Sequence, residues 1–222
     1  GNYGLMLYKK FLKNLTHIGR TIVFHGNHDR NQNEVDQPSL VSSTMEIENL
    51  ILLDKTTVFS IDDVEFSYVS IDDTLDSYST CGRIDDLPAF PRISQTGNKN
   101  IKHTIAMFHG TFANVKLYNG IEVSDEHKPY PFEWLKDFDF AILGDIHLRQ
   151  YGIANKKTLW GYSGSLVQQN YGEDIVHHGY MIWDLDNRSI EEINIYNDIG
   201  LINVKQDDGD IKIRIRGKYE NL

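Results

Sequence analysis

Three short apolar runs in this chain end in the same chemistry, and that repetition constrains its folding more than any other feature. Residues 21–30 read TIVFHGNHDR, residues 104–110 read TIAMFHG, and residues 140–147 read FAILGDIH. Continuous apolar runs of this length suit strands covered on both faces. In open α/β sheets, functional groups gather at the carboxyl ends of such strands. Asn27, His28, Asp29, His109, Asp145 and His147 are therefore expected along one edge of one sheet. Gly, Asn and Asp also form plain turns, so one such stretch alone carries little weight.

The rest of the chain reads as alternating helices and strands, then mostly strands. Leu5, Leu12 and Leu15 lie among lysines at helical spacing and Gly19 follows, which predicts an amphipathic helix feeding the strand at 21. Residues 56–71 predict a hairpin around Asp62 and Asp63. Residues 72–100 mix Gly, Pro, Asn and Ser without period and predict a long loop with one helical turn. The PYPFEWLKDF stretch predicts a short helix started by proline. From 149 onward the pattern is a β meander with turns at ANKK and DNRS.

At 222 residues the chain makes one good-sized domain, or one domain and part of another. Its net charge of -10 argues against a surface that is one continuous nucleic-acid footprint. A nuclease is still compatible, because cations held by acidic and imidazole groups supply the positive charge that meets phosphate. The basic clusters NKK (155–157) and IKIRIRGK (211–218) read as a solvated turn and an alternating strand face. Cys81 is the sole cysteine, so no disulfide framework is possible and a reducing compartment is expected. No run is long enough to span a bilayer and no signal-peptide pattern opens the chain. A cytoplasmic protein, not secreted and without membrane contact, is expected.

The donor types at the strand ends point to a reaction class. Amide oxygen, carboxylate and imidazole without thiolate suit Mn- or Mg-like cations and other borderline metals, not a structural zinc cage. Two metals about 3.5 to 4 Å apart, clamping a phosphate and sharing a hydroxide, are the recurring solution for phosphoester hydrolysis. Serine hydrolysis is unsupported, since GYSGS lacks the glycine spacing of a nucleophile elbow. Ser163, Gly164 and Ser165 read instead as a tight turn beside the metals. His25 reads as structural, His17 as lying near a helix end, and His103, His127, His177 and His178 as surface or strand-packing residues.

The ordered set GNHD (26–29), His109 and the G-x-x-H element at 144–147 resembles the later motifs of the calcineurin-like metallophosphoesterases. Within that superfamily, GDIHLRQYG followed by GYSGSLVQQNYGED and HHGYMIWDL resembles the DNA-repair nuclease subunit of the Mre-eleven/SbcD family, especially versions carried by phages and large viruses. The likeness covers most of residues 5 to 200. It implies an α/β fold, a four-layer α-β-β-α sandwich of two mixed sheets, here N-terminally incomplete. It implies a phosphoesterase domain over residues 1–198 and the start of a small DNA-binding capping domain over 199–222.

The resemblance also implies roles. Asn27 and His109 would bind one metal, with Asp145 standing where the family has the first His of GHxH, and His147 would bind the other. Two Mn2+ ions are implied, with Mg2+ as the alternative. His28 would donate a proton or hydrogen bond to the phosphate or leaving oxygen, oriented by Asp29. Ser165, Gln168 and Gln169 are candidates for the DNA face, the glutamines being equally readable as a plain polar strand face. The activity implied is DNA exonuclease and endonuclease hydrolysis in double-strand-break repair or recombination. The partners implied are DNA and an SbcC-type ABC ATPase, with homodimerisation of the full-length protein. A degenerate, non-catalytic scaffold and a phosphodiesterase or phosphatase acting on another substrate are the alternatives.

Family members open with strands ending in Asp-x-His and Gly-Asp, and neither precedes GNYGLMLYKK. The chain is accordingly expected to be an internal fragment that binds Mn weakly, at no more than one site, and is inactive alone.

Overall fold

The computed structural model describes residues 2–29, 46–74, 84–93, 100–124, 126, 128–206 and 209–216. The chain divides into two compact units, Gly1–His109 and Gly110–Leu222.

The first unit opens with helix α1 (Asn2–Ile18). Leu12 and Thr16 are buried on it, with Leu5, Tyr8 and Leu15 half-buried, so the inward stripe follows helical spacing as expected. The Gly19 N–H closes the helix on Leu15 O at 3.1 Å. Strand β1 (Thr21–Phe24) then pairs in parallel with β2 (Leu50–Leu53), in the register Thr21 to Leu50 through Phe24 to Leu53. Strands β3 (Thr57–Ile61) and β4 (Val64–Tyr68) form the expected hairpin. Asp62 turns it with a φ of 54°, a left-handed conformation that Asp tolerates better than most residues. Strand β5 (His103–His109) runs parallel to β4 and ends on His109. Tyr68, Val69, Ile105 and Phe108 are core residues here. Glu65, 1% exposed, ties β4 to the segment at 84–93 through Arg92 Nε at 2.5 Å and the Ile93 N–H at 2.9 Å. Of the long loop expected over 72–100, Ile84–Asp86 is a 3₁₀ turn, and 75–83 and 94–99 lie outside the described residues.

In the second unit β6 (Phe140–Gly144) runs parallel to β8 (Thr158–Tyr162), and β7 (Gln150–Ala154) joins β8 antiparallel. Phe112, Tyr130, Phe132, Trp134 and Trp160 stack in one aromatic cluster, with ring centroids 4.9 to 6.3 Å apart. The proline-started helix is a single 3₁₀ turn, Phe132–Leu135, capped by Pro131. The expected meander is present as β7–β8 and as the hairpin β9 (Gly179–Asp184) with β10 (Ser189–Asn194). A further hairpin pairs β11 (Ile199–Val204) with β12 (Ile211–Arg216).

The four-layer α-β-β-α sandwich expected from the resemblance is corrected by this structure. Strand accounts for 38% of it and helix for 16%, in small sheets. Among the described residues α1 is the one long α-helix, and residues 72–74 are also helical. Outer helical layers need long amphipathic helices in the connections between strands. Here the described connections are hairpin turns, coil and helical or 3₁₀ turns of three or four described residues, which bury too little to form a layer.

Candidate functional site

Each unit carries part of the predicted residue set: Asn27, His28, Asp29 and His109 in the first, Asp145, His147, Ser165, Gln168 and Gln169 in the second. In the first, β1 delivers the chain into His25 and Gly26, both buried. His25, 0% exposed, faces Asp72 Oδ2 at 3.1 Å and Ser70 Oγ at 3.4 Å through Nε2. Its Nδ1 is buried with no hydrogen-bond partner among the described residues. Gly26 is required by close approach, because a Cβ there would stand 2.5 Å from Cε1 of the His109 ring. That packing leaves His109 Nε2 3.2 Å from Asn27 Oδ1, across a separation of 82 residues. Two side chains singled out at separate strand ends are thus brought into direct contact, but β1 and β5 belong to different sheets, which corrects the expectation of one edge of one sheet.

Asp29 behaves differently from its expected role. Its Oδ2 accepts the Gly26 N–H at 2.8 Å and its own N–H donates to Gly26 O at 3.2 Å, which closes a tight turn. The carboxylate expected to orient His28 is engaged with backbone, and its effect is to fix the loop that presents Asn27. His28 is exposed, with no hydrogen bond among the described residues. Burial first, and then the Asp29 carboxylate, raise the Tyr8 phenol of α1 above its ordinary value.

In the second unit β6 ends at Gly144 and the next residue, Asp145, adopts a φ of 101°. A residue with a Cβ rarely enters that region, and strain of this kind clusters at functional sites. Asp145 Oδ2 accepts the Thr111 hydroxyl at 2.5 Å. Beneath it, the buried Tyr162 phenol donates to Gly110 O at 2.7 Å and accepts the Phe112 N–H at 3.1 Å. Burial pushes that phenol well above its ordinary value.

His147 donates from Nδ1 to Glu173 Oε1 at 2.7 Å. The Ser163–Ser165 turn sits on the backbone beside it, where the Ser165 N–H donates to His147 O at 3.0 Å. Gly164 permits the turn with a φ of 75°, and a Cβ on it would lie 2.7 Å from that same carbonyl oxygen.

The candidates for a DNA face separate. Gln168 is buried, donating Nε2 to Glu173 O at 2.9 Å and Leu201 O at 2.8 Å while Oε1 accepts the Leu201 N–H at 2.7 Å. Its amide therefore clamps the chain internally and presents nothing to a ligand, which corrects the expectation. Gln169 is exposed. Ser165 Oγ meets His178 Nδ1 at 2.9 Å. His178, read as a surface or strand-packing residue, is buried with Nε2 against Asp174 O at 2.7 Å. His103 is half-buried at the start of β5, and exposed His177 lies 3.2 Å from Asp174 Oδ2. His127 lies outside the described residues.

The sequence reading missed Glu173 and Thr111. Glu173 stands in the quoted stretch YGED, but 26 residues separate it from His147 and no local periodicity links the two. Thr111 follows the His-Gly end of β5, and its partner Asp145 lies 34 residues further on.

Asn27 and His109 offer an amide oxygen and an imidazole nitrogen, and Asp145 and His147 a carboxylate and an imidazole, all groups that can coordinate a divalent cation. Two protein donors are in contact around Asn27 and His109. Among the described residues no group of three or more His, Cys, Asp or Glu is placed to hold a metal ion.

No known protein-family profile matches the chain. It is 32% identical over 226 residues to an uncharacterized protein of Acanthamoeba polyphaga mimivirus, which matches 95% of this chain. The chain spans 16% of that relative's length. A solved protein structure overlays 86% of this chain and 72% of its own at a TM-score of 0.48 and 12% identity, a likeness too slight to carry an argument. Among the described residues no helix is long and apolar enough to cross a membrane.

Proposed function

We propose that this chain carries part of a metal-dependent phosphodiesterase site acting on DNA, the nuclease subunit activity of the Mre-eleven/SbcD resemblance. The observation that carries the reading is the contact between His109 Nε2 and Asn27 Oδ1 at 3.2 Å. It joins the ends of β1 and β5, the kind of strand end where ligands gather in sheets with parallel strands. An amide oxygen and an imidazole face one another over a glycine that cannot be replaced without moving the ring.

In this reading Asn27 and His109 hold one divalent cation, Mn2+ or Mg2+, and Asp145 and His147 serve a second. A divalent cation at either place would supply positive charge to meet a phosphate. The chain's own residues do the rest. Asp29 fixes the loop that presents Asn27. His28, exposed beside them, donates a proton or hydrogen bond to the phosphate or leaving oxygen. The β11–β12 hairpin is the entry to a DNA-holding capping domain, with DNA, an SbcC-type ABC ATPase and a second copy as partners. The mimivirus relative and the single cysteine support an intracellular, cytoplasmic setting.

One observation favours a second reading, a non-catalytic scaffold: no three acidic or imidazole groups are placed to hold a metal ion among the described residues. The natural full-length polypeptide, incubated with Mn2+ and linear duplex or single-stranded DNA, separates the two. Metal-dependent degradation that disappears in Asn27→Ala and His109→Ala supports the nuclease. Cleavage confined to a chromogenic phosphodiester redirects the activity to another substrate, and no cleavage of either leaves the scaffold.

A further inference from the structure

We propose that Glu173 is the positioning residue of His147, fixing which ring nitrogen carries the proton. The inference rests on the reading of His147 as a cation ligand and names what makes it one. A carboxylate can only accept hydrogen bonds. Glu173 Oε1, 2.7 Å from His147 Nδ1, therefore requires the proton on Nδ1. In the neutral ring the lone pair then resides on Nε2. Held this way, His147 is an electron-pair donor at its outer nitrogen.

The two side chains differ in the manner such a role demands. The Glu173 side chain is 2% exposed and that of His147 is 45% exposed. A buried carboxylate is costly unless its lone pairs are met, and here donors converge on both oxygens. Asn170 Nδ2 reaches Oε1 at 2.6 Å, while the Gln169 N–H reaches Oε2 at 2.8 Å and Ser165 Oγ reaches it at 3.3 Å. Gln168 grips the Glu173 carbonyl, and His178 contacts Ser165 Oγ at 2.9 Å. Every one of these donors is uncharged or an imidazole, and among the described residues no Lys or Arg pairs with Glu173. The carboxylate is thus locked in place before any ligand arrives, as the outer partner of a metal-binding histidine must be. A simple surface ion pair needs none of this framework.

The ring-nitrogen signals of His147 in the 15N-labelled full chain, recorded by long-range proton–nitrogen correlation at a pH where the ring is neutral, test the assignment. The wild type is expected to carry the proton on Nδ1, and Glu173→Ala to populate the Nε2–H form that a free imidazole prefers. A cooperative thermal melt reports whether each variant is folded. If Glu173→Ala does not fold, Glu173→Asp withdraws the carboxylate by one methylene and is expected to release the same proton. A wild-type ring protonated on Nε2 overturns the proposal without any variant, and so does a folded variant that keeps Nδ1–H. Mn2+ added alone distinguishes this inference from the reading beneath it. Selective broadening of the His147 ring signals, weaker in the variant, supports both. No broadening with Nδ1–H intact removes the metal role and leaves Glu173 as the residue that sets the tautomer.

Discussion

His109 Nε2 stands 3.2 Å from Asn27 Oδ1, although 82 residues separate them. The contact depends on Gly26, over which the His109 ring lies. If this pair holds a cation, Asn27→Ala and His109→Ala should each weaken Mn2+ binding at least tenfold, about 1.4 kcal/mol. His28→Ala should leave Mn2+ affinity nearly unchanged while lowering DNA cleavage by the full-length polypeptide on the order of 100-fold. Calorimetric titration with turnover assays checks this division, and equal loss of metal in all three variants would contradict it.

Gly26→Ala makes a sterically sharper test. The new Cβ would lie 2.5 Å from His109 Cε1, so the ring must move. Overpacking of this kind costs roughly 1 to 3 kcal/mol. Denaturant melts should show that loss, and Mn2+ titration should show weaker binding than in a chain destabilised equally elsewhere. Unchanged melts and unchanged Mn2+ binding would mean that the ring does not rest on the glycine.

Asp145 invites a substitution that keeps shape and removes charge. Asp145→Asn can still accept the Thr111 hydroxyl, the contact made at 2.5 Å in the wild type. The exchange of a charged for a neutral acceptor should cost about 1 kcal/mol of stability. A carboxylate serving a cation should show a much larger effect on Mn2+ affinity. Equal affinity in wild type and variant would reduce Asp145 to a strained strand-end turn.

Tyr162→Phe should destabilise the second unit by about 1 to 3 kcal/mol, because Gly110 O and the Phe112 N–H both lose a buried partner. Thermal melts read this directly. A neutral result would indicate that both backbone groups find other partners.

Asp184 supplies a pH test far from the candidate site. The Asn187 N–H at 2.9 Å, and then the Asn187 side-chain amide at 2.8 Å, hold its carboxyl below the ordinary value. A depressed carboxyl stabilises the fold above its unfolded pKa, and the contribution fades as pH falls through the folded value. Asp184→Ala should therefore melt below wild type at neutral pH, with the gap closing in acid. A gap that stays constant down to low pH would show that the carboxyl is not the cause.

Local pattern made much of this molecule legible, and what it could not reach has a common cause. The helix from Asn2, the Asp62 hairpin, the strands ending at Phe24, His109 and Gly144 and the β9–β10 turn follow from periodicity and turn chemistry within a few residues. So does the choice of Asn27, His109, Asp145 and His147 as residues at strand ends. Layer architecture depends on what fills the connections between strands, and hairpins and coil fill the described ones, so the helical layers expected from resemblance did not form. Partner choice was likewise decided in three dimensions. Asp29 closed a turn on Gly26 and did not engage His28, Gln168 turned inward to clamp Leu201, and Glu173 became the acceptor for His147. Hydrogen bonds across 26, 33 or 82 residues leave no local period to read, because they form only when folding brings buried polar groups to partners that offset their lost water.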